Sequence, residues 1–282
     1  MDQTLSFVKS LDPMLVVLVL FEMKLEESRA YQSLDRALAK TDERCQLFAY
    51  DNSSRAGALP DQGRWQIQYH HDPSNPGVSK AYNQAFTWAE GNNKKWLLLT
   101  EQDTTFPDDI FEQYKVSQAN FPQCQIFAPL LIDERGLISP FRKRNSSGKR
   151  LATIKPGLHP LDKIHAVNSG LLVSMSLFRA AGGYDERLRL DFSDFSFFRR
   201  ASRITSSLAV VEARCLHQHS SSARGNLQEA MERFRTYLRG SKIMAAEENP
   251  FPFRFRSFLR ALRLSLRYRS LRFIGTFISG AP

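Results

Sequence analysis

The feature that constrains this chain most is residues 96–107, WLLLTEQDTTFP, where an apolar run leads directly into two carboxylates. Trp96 and the three leucines after it are typical of a strand buried on both faces of a parallel sheet. Glu101 and Asp103 follow where such a strand ends, and open α/β sheets bind ligands at that edge. A carboxylate pair there can hold a divalent cation that keeps coordination sites for phosphates. The alternative is that both carboxylates only begin a polar loop and cap a helix after Pro107.

The preceding residues alternate apolar runs with helical patterns. The predicted strands are 14–21, 46–50 and 65–69, and the predicted helices are 26–40 and 78–90. Strand–helix–strand order implies right-handed crossovers and a parallel sheet. Four polar loops should therefore meet at one edge of the sheet, at 21–22, 51–52, 75–77 and 101–103. We expect a nucleotide-binding half over about 14–110, with a ligand crevice at that edge.

The second half, about 111–225, carries further candidate site residues. Asp191 and Asp194 stand at the start of a predicted helix, where one is expected to be the N-cap and the other free for chemistry. His217 and His219 follow a predicted strand at 210–213, and His217 is either a metal ligand or a structural histidine. The basic run 142–150 is predicted to be a mobile loop, either solvated or acting as a flap over an anionic ligand.

Charge and cysteine usage narrow the class of protein. A formal net charge of +10 predicts a polyanionic partner, either nucleic acid, anionic lipid or a phosphorylated substrate. Three scattered cysteines argue against a disulfide framework and a cysteine zinc site, and fit a reducing cytosol. We expect no secretory signal at the start of the chain, and residues 14–21 are too short to span a bilayer.

The tail, residues 250–282, changes composition abruptly. From Phe251 it alternates arginine with phenylalanine and leucine and contains no acidic residue. One helical face would carry Phe255, Phe258, Leu259, Leu262, Leu266 and Phe273. A basic amphipathic helix with aromatic residues is typical of a segment on an anionic membrane surface. The alternatives are packing on the catalytic domain or a partner subunit, and nucleic-acid binding, for which no recognition motif is present.

The order and spacing of these motifs resemble inverting family 2 glycosyltransferases of the GT-A fold, closest to the rhamnosyltransferase-like bacterial members. The matching segments, within about 14–237, are 50–54, 75–83, 96–107, 167–174, 182–186 and 190–199. The resemblance implies an α/β fold with a mostly parallel, Rossmann-like central sheet flanked by helices. It places a glycosyltransferase domain at 1–249, with a nucleotide-binding half at 14–110, an acceptor and catalytic half at 111–225 and a helix at 226–249. The membrane-associating tail is 250–282.

The resemblance also implies roles for single residues. The donor-binding set is Phe21, Glu22, Asp51, Asn75, Gly77, Lys80, Asn83, Glu101 and Gln102. Within it, Asp51 would bind the base or ribose of the donor. Asp103 would be the terminal metal ligand of an Asp-X-Asp motif whose first position is Glu101 here, and His217 the third metal-site ligand, for Mn²⁺ or Mg²⁺. Asp194 matches the catalytic base and Asp191 an acidic position before it.

Four residues depart from the family pattern. Phe21 and Glu22 replace a more familiar Tyr-Asn pair, Glu101 replaces the first aspartate, and Ser196 stands where an acidic residue often follows the base. We still expect an enzyme that transfers a sugar with inversion, with dTDP-rhamnose as donor and UDP-galactofuranose or another UDP-hexose as rivals. A second hypothesis is a non-catalytic, glycosyltransferase-like scaffold on the membrane.

The tail and the resemblance together suggest where the enzyme would act. The acceptor would be a lipid-linked glycan of a bacterial surface polysaccharide such as O-antigen. The protein would be cytoplasmic and peripheral on the inner face of the plasma membrane. A role in nucleic-acid binding is not expected.

Overall fold

A computed structural model describes residues 11, 13–144, 147–218 and 226–280 of the chain. His219 and the serine-rich loop after it therefore lie outside the described residues. The strands are β1 Met14–Leu20, β2 Cys45–Asp51, β3 Trp65–His71, β4 Trp96–Glu101, β5 Thr104–Thr105, β6 Ile126–Asp133, β7 Gly136–Ser139, β8 Phe141–Arg144, β9 Ser147–Lys149, β10 Gly157–Pro160, β11 Ile164–His165, β12 Leu171–Ser174 and β13 Ser207–His217. The α-helices are α1 Arg29–Ala39, α2 Val78–Gly91, α3 Ile110–Asn120, α4 Met175–Ala180, α5 Ser193–Ala201, α6 Leu227–Glu247, α7 Pro250–Tyr268 and α8 Arg272–Ser279.

The central sheet is mostly parallel and has the order β10-β13-β6-β12-β4-β1-β2-β3, with β5 on β13 and β7 on β6. β1 pairs in parallel with both β2 and β4, and all seven of its residues are buried. This position explains its continuous apolar sequence, because a strand covered by helices on both faces has no solvent side. The predicted strands and helices of the first half are confirmed.

Two hydrophobic layers hold helices on opposite faces of the sheet. One layer contains Leu34 and Leu38 of α1 with Phe111 and Tyr114 of α3. The other contains residues of α2, α4 and α5, namely Tyr82, Phe178, Phe197 and Phe198. The helices thus leave the carboxyl ends of β1, β2 and β4 uncovered at one edge of the sheet.

The basic run at 142–150, predicted to be a mobile loop, is mostly strand. β8 and β9 pair antiparallel and join β11 in a small second sheet. Phe141 is buried and lies 5.4 Å from Phe195 of α5, ring centroid to ring centroid. Arg150 donates two hydrogen bonds to the Asp133 carboxylate, at 2.8 and 2.6 Å. The prediction of a mobile loop was wrong because the buried ring of Phe141 and the ion pair of Arg150 with Asp133 hold this segment in place, although most of its other side chains are solvated.

The tail, predicted to be one amphipathic helix, forms two helices, α7 and α8, which pack with α6. α6, α7 and α8 share a core that includes Met231, Phe234, Leu238, Ala261 and Phe273. The face of α7 toward α6 carries small residues, Ser257, Ala261 and Ser265, which let the helices approach closely. Phe273, predicted to belong to the exposed apolar face, is fully buried on α8, and Arg269 in the left-handed region ends α7 before it.

Candidate active site

A cavity of about 660 Å³ lies at the carboxyl edge of the central sheet. Phe21 follows β1, Glu101 ends β4, and Gln102 and Asp103 come directly after it, so these residues form the sheet side of the cavity. The opposite side is formed by α6 with Arg233, Arg235 and Arg239. We call these three residues the arginine wall. Ligand crevices of open α/β sheets occupy the same place.

Asp103 and His217 are brought together by the pairing of β5 with the end of β13. In this antiparallel pair His217 lies opposite Thr104, and the Gln218 backbone N–H donates to the Asp103 carbonyl at 3.2 Å. As a result, Nδ1 of His217 lies 3.5 Å from Oδ1 of Asp103, and both side chains are largely buried. Residues that are 114 positions apart along the chain are therefore adjacent, as the predicted metal site requires.

A chain of hydroxyl groups fixes this corner of the site. Ser169 Oγ accepts a hydrogen bond from the Glu101 backbone N–H at 3.2 Å and lies 2.8 Å from Thr104 Oγ1. Thr104 Oγ1 is in turn 3.0 Å from Nδ1 of His217. Thr104 and Ser169 are buried, so the positions of the Glu101 backbone and the His217 ring are set by the interior rather than by solvent.

Asp103 and His217 fit a two-residue cation site. Ligands at about 2.1 Å from one ion lie about 3.0 Å apart when adjacent and about 4.2 Å apart when opposite, and the observed 3.5 Å falls between these values. Within the residues that the structure describes, no group of three or more His, Cys, Asp or Glu side chains could hold a metal. A cation here would therefore need additional ligands from water or from a bound phosphate, which is the usual arrangement for Mg²⁺.

Asp194 and Glu101 are carboxyl groups with strongly perturbed acidity. Burial raises the pKa of Asp194 to about 7, with a further contribution from the charge of Asp191. Burial raises the pKa of Glu101 to about 8, and the negative charges of Asp103 and Asp194 add to this rise. Glu101, Asp103 and Asp194, which we call the acidic cluster, are therefore near enough to interact electrostatically. Carboxyl groups with such raised pKa values are typical of catalytic sites.

The start of α5 differs from the prediction that one of its two aspartates is the N-cap. The N-cap is Phe192, with φ of 69° and no side-chain capping hydrogen bond. Asp194 lies in the first turn and accepts a hydrogen bond from the Phe195 backbone N–H at 2.8 Å. Asp191 forms a two-pronged ion pair with Arg233 of the arginine wall, and one of its contacts is 3.0 Å long. Asp191 thus connects α5 to α6.

Gln102 joins the ends of β1 and β4. Its side-chain carbonyl accepts a hydrogen bond from the Phe21 N–H at 2.7 Å, and its amide donates to the Phe21 carbonyl at 3.1 Å. The Phe21 ring is half exposed at the cavity. With its backbone held at both polar groups, this ring presents a fixed apolar surface at the cavity.

Glu22 and Asp51 line a separate small pocket of about 250 Å³ beside the main cavity. Glu22 accepts a hydrogen bond from the Ser54 backbone N–H at 2.9 Å. Asp51 is buried and accepts hydrogen bonds from the Ser53 N–H at 2.9 Å and the Tyr69 hydroxyl at 2.5 Å. These hydrogen bonds lower the pKa of Asp51, although burial alone would raise it. Asp51 is thus ionised and held in place by its neighbours.

Asn75 and Gly77 line the main cavity next to Arg189, which sequence reasoning missed. Gly77 has φ of 96°, and a Cβ there would lie 2.0 Å from the Arg189 carbonyl oxygen. That carbonyl accepts the Val78 N–H at 2.9 Å, while the Arg189 guanidinium donates to the Asn75 carbonyl. Glycine is therefore required at position 77 because the backbone of Arg189 lies against the start of α2.

Lys80 and Asn83, predicted to bind the donor, are not among the residues that line the cavity. The ammonium group of Lys80 lies 3.6 Å from the Asp72 carboxylate. Asn83 donates to the Tyr184 carbonyl at 2.9 Å and accepts from the Tyr184 N–H at 2.8 Å. Asn83 therefore fastens α2 to the turn before α5, while Lys80 is within ion-pair distance of Asp72.

The arginine wall was missed because residues 226–249 were interpreted only as a helix. Glu229, Glu232, Arg233, Thr236 and Arg239 recur at spacings of three and four, which puts them along one side of α6. That spacing is a readable signal for a charged helix face. Only the fold shows that this face closes the crevice. α6 packs closely there because residue 240 is glycine: a Cβ added to Gly240 would lie 3.3 Å from the Asp191 carbonyl oxygen.

No family model and no curated protein matches this chain in sequence. Several solved structures match it in fold. S. aureus TarS (residues 1–349) in complex with UDP-GlcNAc superposes with a TM-score of 0.53 at 15% identity, over 95% of this chain and 81% of that chain. GalNAc-T7 with UDP, GalNAc and Mn²⁺ gives 0.60 at 11% identity, over 95% of this chain and 56% of that chain.

A third similar structure is the mannosyltransferase PcManGT from Pyrobaculum calidifontis with GDP-Man and Mn²⁺, with a TM-score of 0.51 and 12% identity, over 95% of this chain and 74% of that chain. These likenesses confirm the predicted α/β fold of the GT-A type. At this level of identity they establish the fold alone. Among the described residues, no helix has the length and hydrophobicity needed to cross a bilayer.

Proposed function

We propose that this protein is a metal-dependent glycosyltransferase that takes a sugar from a nucleoside diphosphate donor with inversion of the anomeric centre. The observation that carries the proposal is that Glu101 and Asp103 line one crevice of a GT-A sheet together with the arginine wall. His217 lies beside Asp103, and Asp194, which does not itself line the cavity, is close enough to raise the pKa of Glu101. The three similar proteins were solved with UDP, UDP-GlcNAc or GDP-Man, which supports a nucleotide-sugar donor.

The arginine wall provides the charge that a diphosphate requires. Arg235 and Arg239 are exposed on α6, and no carboxylate lies within 4 Å of their guanidinium groups in the described part of the chain. Arg233 is already paired with Asp191. Guanidinium groups bind phosphate oxygens through two parallel hydrogen bonds. Arg235 and Arg239 are therefore the residues that we assign to the donor diphosphate, with Phe21 as a surface on which the base can stack.

Asp103 and His217 would hold the cation. One carboxylate with phosphate oxygens suits Mg²⁺, while an imidazole ligand favours Mn²⁺, and two of the similar structures contain Mn²⁺. A divalent cation bound there would stabilise the negative charge that develops on the departing diphosphate. Glu101, the first acid of the motif, has a raised pKa, so its protonated form can donate a hydrogen bond in the crevice.

Asp194 would be the general base. Its carboxylate would remove the proton from the acceptor hydroxyl as that oxygen attacks the anomeric carbon in a single displacement. A base is most effective when its pKa is near the working pH, and the pKa of about 7 at Asp194 meets this condition. Asp191 would position Arg233 at the crevice rather than exchange protons, because its carboxylate is engaged in the ion pair.

For the donor sugar we keep the proposal of rhamnose from dTDP-rhamnose, with UDP-galactofuranose or another UDP-hexose as rivals. A screen of dTDP-, UDP- and GDP-sugars for hydrolysis and transfer, with Mn²⁺, Mg²⁺ or EDTA, tests activity, donor and metal together. We expect turnover with one nucleotide class and its loss in EDTA. Undiminished turnover in EDTA would remove the cation site from the proposal. No turnover and no nucleotide binding under any condition would favour the non-catalytic scaffold.

We further propose that the protein is peripheral to an anionic membrane, where a lipid-linked glycan would be its acceptor. The outer surface of α7 and α8 leaves large apolar side chains exposed, among them Leu266 at 73%, Leu271 at 78% and Ile278 at 75%. Arginines lie between them, and the chain has no acidic residue after Glu248. Exposed apolar residues among cationic ones favour the interface of an anionic bilayer.

Substitution tests this surface better than truncation, because removing α7 and α8 would expose Phe234 and Leu238 in the core of α6. The variant Leu266→Gln/Leu271→Gln should bind anionic vesicles more weakly in a sedimentation assay. The matched control Leu59→Gln/Leu158→Gln changes two exposed leucines far from the tail and should bind as the wild type does. Equal vesicle binding by both variants would contradict membrane docking through α7 and α8.

A further inference from the structure

A second groove, of about 740 Å³, lies between α6 and α7 and is not used by the proposed chemistry. One side carries Arg256, Arg260, Arg263 and Arg267, and its apolar surface includes Phe251, Phe255 and Leu259. The four arginines recur at spacings of four, three and four, so they form a single stripe along α7. We call this feature the arginine groove.

Among the described residues, the arginines of the groove form no ion pair. In the described part of the chain, no carboxylate lies within 4 Å of any of the four guanidinium groups. α7 itself has five arginines and no acidic residue. Arg260 is largely buried and lies over the Tyr237 ring, 4.0 Å from its centroid. Like charges packed along one helix favour an anionic ligand, because it would relieve their mutual repulsion.

The groove is adjacent to the candidate active site. Tyr237, which lines the groove, follows Thr236, which lines the crevice, on the same helix. The charge of Asp191 acts on Arg260, and Asp191 is paired with Arg233 of the arginine wall. A phosphate bound at Arg260 would therefore lie near the part of α6 that lines the crevice.

The apolar surface of the groove distinguishes its ligand from a soluble anion. Phe251 and Phe255 stack 6.2 Å apart and are 71% and 52% exposed, and Leu259 is 45% exposed. Such side chains gain from covering by hydrocarbon, whereas free phosphate would leave them in water. The ligand that satisfies both sides is an anionic amphiphile with a compact, highly charged head group.

We propose that the arginine groove binds the phosphate end of a lipid carrier, with its hydrocarbon chain along Phe251, Phe255 and Leu259. The stripe holds the phosphate next to the hydrocarbon chain through charge-assisted hydrogen bonds, and a glycan joined to it through a second phosphate extends toward the crevice. That this lipid carries the acceptor rests on the proposed function. The binding of a lipid phosphate does not.

The test compares neutral phosphatidylcholine vesicles that contain a polyprenyl phosphate with vesicles of equal surface charge that contain phosphatidylglycerol. In flotation assays without nucleotide sugar, we expect the full-length protein to bind the polyprenyl phosphate vesicles about tenfold more tightly, since a head group that concentrates two negative charges can accept bidentate hydrogen bonds from more than one guanidinium group. Equal binding to the two vesicle types would overturn the proposal in favour of general attraction to an anionic surface.

Two double variants separate the groove from net charge. Arg256→Gln/Arg263→Gln removes two arginines from the groove, while Arg254→Gln/Arg272→Gln removes two exposed arginines that do not line it. Thermal unfolding checks that both fold. We expect only the first variant to lose the preference for polyprenyl phosphate, and the same loss in both would overturn the proposal. Because no donor is present, an unsuccessful donor screen leaves this result interpretable.

Discussion

Glu101 and Asp103 of the acidic cluster line the same crevice as the arginine wall, but the acidic cluster and the arginine wall have different structural origins. Glu101 and Asp103 lie at and just beyond the end of a buried central strand, and Asp194 is in the first turn of a helix packed under the sheet. Arg233, Arg235 and Arg239 are on α6, whose own core is shared with α7 and α8. The acids are therefore fixed by the main fold, while the arginines depend on the C-terminal helices.

This difference suggests that the acidic cluster and the arginine wall have different functions. Rigid, partly buried acids with perturbed pKa values suit proton transfer and cation binding. Exposed arginines on a separately packed helix suit recognition of a charged donor. We therefore expect changes in the acidic cluster to act mainly on kcat, and changes in the arginine wall to act mainly on KM for the donor.

The largest expected effect is at Asp194. Asp194→Asn should lower kcat by about 10²–10⁴-fold, since that is the usual contribution of a general base, with little change in donor binding by calorimetry. Asp191→Asn is the matched control, because it breaks the ion pair with Arg233 without removing the proposed base. A near wild-type transfer rate in Asp194→Asn would show that the base lies elsewhere and that the acidic cluster has another role.

A smaller effect is expected at the arginine wall. Arg235→Gln or Arg239→Gln should raise KM for the donor about tenfold, because a hydrogen bond to a charged group contributes on the order of 1.5–3 kcal/mol before solvent exposure reduces it. The matched control is Arg254→Gln, an exposed arginine on α7 that does not line the crevice. A fall in kcat at unchanged KM would contradict the division between the two sides.

The smallest effect is on pH dependence. With its pKa raised to about 7, Asp194 loses its proton as pH rises through 7. The rate should therefore be half-maximal near pH 7 and fall about tenfold per unit below it, and Asp194→Asn should lack this dependence. A wild-type rate that stays constant from pH 5 to pH 8 would show that Asp194 does not titrate in the catalytic step.

The same raised pKa predicts an effect on stability. The folded state favours protonated Asp194, so ionisation between about pH 4 and pH 7 destabilises it. Asp194→Asn should thus exceed the wild type in free energy of unfolding above pH 7, by on the order of 1 kcal/mol after allowance for solvent screening. The difference should disappear toward pH 4, as measured by urea unfolding at each pH.

The central sheet and its ligand-binding edge can be predicted from the amino-acid sequence. Continuous apolar runs such as β1 can be read because a strand buried on both faces tolerates no polar position. The polar residues after β1, β2 and β4 could be assigned to one edge because parallel strands share direction. Asp103 and His217 were selected as metal ligands by resemblance, and their roles stay predictions.

What closes the crevice and where the tail lies depend on contacts between segments that are distant in sequence. The charged face of α6 is visible in its spacing, but its orientation depends on the contact between Gly240 and the backbone near Phe192. The tail was read as one membrane helix because its exposed and buried apolar residues look alike in sequence. Phe273 is buried and Leu266 is exposed only because helix packing selects among equivalent apolar residues, and that choice depends on contacts between distant segments.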